Sequence, residues 1–285
     1  MVLRKIFFVV RPIGWSVLLL FLAATLVQMG VGFFVPGFDI LASKDLGKII
    51  FTTLVFGALG FFVYQQPREF RTAWVARNFT FLKECAAFKI FAQCFVFFFF
   101  LHALFLGICY GTGHAALQSV TAPNLLKFAG QLLFGFGATF MLALTEEIMF
   151  RGTFFPYFSQ WLRPITATLV TSLCFMIVHF LPNPVAQLRN EWPIGLGLFL
   201  LGFMLNLIFI KAGTMYANIG THAGLVYVKV ILRKIRFLAF APAATLPWLL
   251  HPDLRQAPLV HILFGCIIIG LVINMRNKLF IYPKN

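Results

Sequence analysis

Apolar residues run through this chain in stretches of about 20, broken by short polar segments. The pattern is neither the alternation of a half-buried strand nor the one-sided stripe of a soluble helix. A run of that length is what a helix needs to cross the hydrocarbon core of a bilayer, about 30 Å thick. Eight runs qualify: 13–35, 47–65, 88–110, 124–147, 164–181, 193–211, 213–232 and 257–275. Three are weaker. The second carries Gly57 and Gly60. The fifth is short and stops at Leu181-Pro182-Asn183-Pro184. The seventh follows the sixth across a tight turn at Lys211-Ala212-Gly213. These three are expected as inner helices packed against protein. Residues 65–88 interleave Arg68, Glu69, Arg71, Arg77, Lys83 and Glu84 with Trp74, Phe79 and Phe81, which predicts an amphipathic helix on the membrane surface. The first run is too long for a signal-peptide core and is read as a retained span. The expected fold is an all-α membrane protein of about eight transmembrane helices, one polytopic domain over residues 1–285.

Composition agrees with that pattern. The chain is 61% hydrophobic, with 38 Phe, and only 11% charged. A soluble domain carries about a quarter charged residues. The five cysteines, Cys85, Cys94, Cys109, Cys174 and Cys266, form no Cys-x-x-Cys pair and read as small buried hydrophobes.

The net charge of +15 would suit a nucleic-acid binder if it were clustered. It is instead spread over the short segments between spans, so no nucleic-acid partner is expected and anionic lipid headgroups are. With eight spans and a cytoplasmic N-terminus, the 23 Lys and Arg divide 14 to the cytoplasmic side and 9 to the other. The exception is 229–236, with Lys229, Arg233, Lys234 and Arg236 on the wrong side. Either these side chains snorkel to the interface or the count of spans is off by one.

Against that background Glu146 and Glu147 stand out, two of 8 acidic residues in the chain, where the apolar run 125–144 reads as a helix end. Intramembrane carboxylates cost roughly 2.5–3.5 kcal/mol each on insertion scales and mark function by default. Glu147 and Arg151 are i and i+4, so they can pair. Glu146 is turned about 100° away, on a face with Thr139, Leu142 and Phe150. It is available as a general base. His179 closes the fifth run and His222 lies midway along the seventh. A Glu with two His can activate a water and stabilise an oxyanion. The same trio could hold zinc, but there is no His-Glu-x-x-His, and no cofactor is expected. His102, His114, His251 and His261 have no such company and are given no role.

Glu146-Glu147-x-x-x-Arg151, then Phe175-x-x-x-His179, then His222 after Gly213-Thr214-Met215-Tyr216-Ala217-Asn218-Ile219, resembles the CPBP family of CAAX prenyl proteases of the second type and bacteriocin-processing enzymes. The resemblance covers about 125–230. It implies a CAAX-protease-like bundle and an intramembrane endopeptidase of glutamate type, once regarded as a metalloprotease. Glu146 and His179 would activate the water, Glu147 and Arg151 would form the ion pair, and His222 would hold the oxyanion. The family places Asn or Asp four residues after that last His. Here it is Val226, which donates no hydrogen bond. Asn206 or Asn218 could substitute. The expected partners are the bilayer and a membrane-associated peptide or protein substrate, with the site towards the cytoplasmic face of the plasma membrane. Two alternatives stand beside it. One is a catalytically impaired scaffold or immunity protein on the same fold. The other is a proton relay or transporter, for which inverted repeats would be needed and none is seen.

Overall fold

A computed structural model describes residues 46–79, 85–118, 125–180, 191–235, 238–241, 249–251 and 253–280, with isolated positions at 11, 14, 15, 22 and 189. The expected first span therefore lies almost wholly outside the described residues. In chain order the elements are α1 (Leu46–Tyr64), α2 (Arg68–Phe79), α3 (Cys85–Gly111), β1 (Ala115–Leu117), α4 (Leu125–Met149), a π-helical turn (Phe150–Phe154), α5 (Phe155–Ser159), α6 (Pro164–Phe180), α7 (Trp192–Ala212), α8 (Met215–Ile235), β2 (Leu238–Phe240) and α9 (Pro258–Phe280). Among the described residues, four helical segments are long and apolar enough to cross a membrane: Ala86–Gly111, Phe128–Ser159, Trp192–Ala212 and Pro258–Asn277. The protein is an all-α membrane protein. Among the described residues the one strand pairing is the short antiparallel pair β1–β2, with Ala115 opposite Phe240.

The contacts group into two compact units, Met1–Ala76 and Arg77–Asn285. Of the segment 65–88 expected as a surface helix, 80–84 lie outside the described residues; α2 within it is polar, with Glu69 in its first turn. The Arg71 guanidinium lies 5.6 Å from the ring centroid of Tyr64.

In the second unit α8 is the central helix. It packs on α3 and α4 and on α7, while α7 also carries α6 and α9. Close approach to α3 depends on missing side chains. A Cβ on Gly220 would strike the carbonyl oxygen of Phe91, and one on Gly224 would reach 2.5 Å from that of Phe95. Tyr227 then sits among Phe95, Phe99 and Phe136, and its hydroxyl donates to Leu132 O at 3.0 Å. His102, assigned no role in the sequence, is buried in the same seam, its Nδ1 2.6 Å from Leu225 O.

Gly220 meets Phe91, Gly224 meets Phe95, and His102 meets Leu225, so α3 and α8 run in the same direction. Three alternating crossings, α4, α6 and α7, fit between them. Lys229, first in the basic segment 229–236, is paired with Asp253 Oδ2 at 2.8 Å.

The sixth run, a clear span in the sequence, is one of the four candidate spans, and its helix α7 is also an inner one: Gly197, Leu198, Gly202, Met204, Leu205, Asn206 and Leu207 are all buried. An apolar stretch looks the same whether lipid or protein covers it. One expectation needs correction: the Glu pair does not end a helix. The chain continues through the π-helical turn into α5, making one helical segment to Ser159. The Phe155 N–H bonds Phe150 O, five residues back, and Thr153 Oγ1 donates to Ile148 O at 2.9 Å. Pro156 offers a physical reason. It lacks an N–H and its ring would press on the carbonyl of residue i−4, Gly152, so a widened turn lets the helix pass. Such π-helical turns recur at functional sites.

Candidate active site

Four elements bring the motif residues together. The last turn of α4 carries Glu146 and Glu147, the π-helical turn carries Arg151, the end of α6 carries His179, and α8 carries His222.

Glu147 is the fastened carboxylate. Its Oε1 accepts from Arg151 Nη1 at 3.0 Å, and both side chains are fully buried. The same oxygen lies 3.0 Å from His222 Nδ1. A carboxylate paired with a guanidinium is ionised and only accepts, so the imidazole donates Nδ1–H to it. That fixes the ring and turns Nε2 towards Glu146.

Glu146 is the open carboxylate. Its Oε2 stands 3.8 Å from His179 Nε2 and 3.7 Å from His222 Nε2. It has no hydrogen-bond partner among the described residues. Both separations exceed a direct hydrogen bond, which ends near 3.2 Å. The His179 tautomer follows from its other nitrogen. Nδ1 lies 2.8 Å from Phe175 O, and a carbonyl only accepts, so Nδ1 carries the hydrogen and Nε2 presents its lone pair to the site. Phe175 thus has two uses in the Phe-x-x-x-His pattern: its carbonyl holds His179, and its ring lies 5.2 Å from the Arg151 guanidinium carbon.

The two asparagines part company. Asn206 Oδ1 accepts from Arg151 Nε at 3.1 Å, and its Nδ2 donates to Thr168 O and Ser172 Oγ, each at 3.2 Å. Both amide hydrogens are committed, which leaves Asn206 none for an oxyanion. Its place is beside the guanidinium. Asn218 Nδ2 donates to Leu205 O at 2.6 Å, so one of its two hydrogens is taken. Val226 is half-buried one turn beyond His222.

Sequence reasoning missed Ser172, Thr168 and the Gly202 carbonyl, which accepts from Arg151 Nη2 at 2.8 Å. A signal was present. Thr168, Ser172, Phe175 and His179 recur at helical spacing on one face of α6 and lead to the histidine.

Among the described residues no group of three His, Cys, Asp or Glu side chains is arranged to hold a metal ion. Glu146, His179 and His222 are the chemically suitable donors, with both Nε2 atoms turned to the same carboxylate oxygen.

These positions fall on a matched segment. The molecule is an integral, all-α membrane protein. Its residues 128–228 match the family model described as Type II CAAX prenyl endopeptidase Rce1-like, in agreement with the CAAX-protease family that the motif residues resemble. The family implies a peptidase and supports a membrane protease role. No curated protein and no solved structure matches the chain.

Proposed function

We propose that the protein is an intramembrane endopeptidase that hydrolyses a peptide bond of a membrane-associated substrate with a water activated by Glu146 and His179. The observation that carries this reading is the spacing at Glu146 Oε2, 3.8 Å from one imidazole Nε2 and 3.7 Å from another. Groups each bound at about 2.8 Å to one shared water stand about 4.5 Å apart, so a small opening of this gap, already too wide for a direct hydrogen bond, admits one. A water there donates one hydrogen to Glu146 and the other to His179 Nε2.

The chemistry then balances. As the water oxygen bonds to the peptide carbonyl carbon, Glu146 takes its proton and the carbonyl oxygen becomes an oxyanion. His222, with a proton on each nitrogen, gives Nδ1–H to Glu147 and offers Nε2–H to the oxyanion. Collapse breaks the C–N bond while Glu146 returns the proton to the leaving nitrogen. The products are a carboxyl terminus and a free amine. Burial among helices limits the site to few waters and favours substrates with apolar anchors. The excess of Lys and Arg on one side supports an orientation with this site towards the cytoplasm, and we place the protein in the plasma membrane as part of the same proposal.

The test uses the full chain in membranes with two fluorogenic peptides, one ending in a prenylated CAAX sequence and one held by an apolar helix. Cleavage of either that disappears in Glu146→Gln and His179→Ala, with the proteins still folded, is the expected result. Wild-type rates in those variants would overturn it.

One observation favours a second reading, a catalytically impaired family member acting as a scaffold or immunity protein. Val226 has no donor, and both amide hydrogens of Asn206 are used elsewhere. Absence of cleavage by the wild type, with a phenotype that survives Glu146→Gln, would select it.

A further inference from the structure

We infer that Asn206, backed by Ser172, is a positioning residue that sets the imidazole of His222 through Arg151 and Glu147. The inference rests on the catalytic reading of His222 and deepens it. The connection is continuous. Ser172 Oγ donates to Thr168 O at 2.7 Å and accepts from Asn206 Nδ2 at 3.2 Å. With Nδ2 held by these two acceptors on α6, the amide has one orientation, and Oδ1 must face Arg151 Nε at 3.1 Å. Gly202 O takes Nη2 at 2.8 Å, leaving Nη1 to meet Glu147 Oε1 at 3.0 Å. That oxygen also receives His222 Nδ1–H at 3.0 Å.

Every member from Thr168 to Glu147 is fully buried, so no solvent can replace a lost partner. A buried guanidinium has five donors and no acceptor; each must be met or the group shifts to meet it. Removing Oδ1 frees Nε to seek another oxygen. The guanidinium then swings, and Glu147 with it. The effect reaches His222 as a displaced Nδ1–H bond and a misdirected Nε2. The groups facing that imidazole are Glu147, Glu146, Arg151 and His179, and Asn206 touches only Arg151 among them. It acts at one remove, as outer partners of catalytic histidines do.

The test is spectroscopic first and kinetic second. In full-length protein with 15N-labelled histidine, held in detergent micelles, the His222 Nδ1–H resonance is assigned by its loss in His222→Gln. It moves in Asn206→Leu and, by less, in Ser172→Ala. It stays in Thr171→Ala, an equally buried change on the same helix outside the connection. In the cleavage assay kcat falls roughly 10- to 100-fold for Asn206→Leu while KM holds. If that variant does not fold, Ser172→Ala carries both readouts. Unmoved resonance and unchanged kcat, alongside a dead Glu146→Gln, overturn the inference alone. Wild-type cleavage by Glu146→Gln overturns the catalytic reading instead, and the resonance still decides whether Asn206 sets His222.

Discussion

Glu147 and His222 lie 75 positions apart in the chain and share a hydrogen bond of 3.0 Å, from Nδ1 to Oε1. Glu146, next to Glu147 in sequence, faces the other nitrogen of the same ring at 3.7 Å. Two adjacent acids on one helix thus stand at opposite ends of one imidazole, and only Glu147 is bonded to it and tied to Arg151. Sequence neighbours have been given different tasks by a 100° step around a helix.

Stability separates them. Glu147→Gln leaves the Arg151 charge in a fully buried site without its counter-ion, and losing one partner of a buried pair costs about 3–5 kcal/mol. Glu146→Gln exchanges a carboxylate with an unpartnered oxygen for a neutral amide of the same shape and is expected to leave unfolding unchanged. Thermal unfolding of both variants in detergent checks this, and equal losses would contradict it.

Helix packing gives a second contrast. Gly220→Ala and Gly224→Ala drive a methyl group into the backbone carbonyls of Phe91 and Phe95. Backbone cannot rotate away, so each is expected to cost about 1–3 kcal/mol, the usual range for overpacking. Gly137→Ala meets nothing within 4 Å on the exposed face of α4 and is expected to gain about 0.5–1 kcal/mol. Melting temperatures should therefore move in opposite directions.

These two cases also mark what was legible in the sequence. Glycines at 220 and 224 are visible four residues apart, but nothing local says which helix they admit. The Glu147–Arg151 pair could be drawn from i,i+4 spacing alone. The Asn206 contact could not, because its partner lies 55 residues away. Spans were readable wherever apolar length sufficed, and the polar helix α2 from its charges. The burial of α7 was hidden, since lipid and protein select the same side chains. The π-helical turn was hidden because periodicity assumes 3.6 residues throughout, although Pro156 was a warning. The β1–β2 pair joins three-residue segments too short to carry a pattern.

Outside the spans, Asp253 ties the loop before α9 to α8. Burial alone would raise its carboxyl pKa. Hydrogen bonds from Arg255 and Lys229 outweigh that and leave it well below the ordinary carboxylate range. A depressed carboxylate contributes stability that is present in full above the unfolded value, near 3.9, and is lost as pH falls through the folded value. The wild type should therefore exceed Asp253→Asn in stability by a constant margin above about pH 5, and the margin should shrink below about pH 4. Unfolding midpoints for both proteins between pH 3 and 7 read this out, and a margin that grows on acidification would have the wrong sign.

Val226 is the sharpest test of the proposed mechanism. It lies one turn beyond His222, so an amide there falls on the same face as the imidazole. If His222 is the oxyanion group and lacks the second donor, Val226→Asn supplies it. One such donor is worth about 10²–10³ in rate. The expected result is a rise in kcat by up to about that factor, with little change in KM. Val226→Leu should leave the rate as it was, and the gain should vanish in Val226→Asn combined with Glu146→Gln. An unchanged rate in Val226→Asn would mean that the oxyanion already has its second donor. The remaining amide hydrogen of Asn218, one turn before His222, is then the group to remove, and Asn218→Leu should produce the loss that Val226→Asn failed to repair.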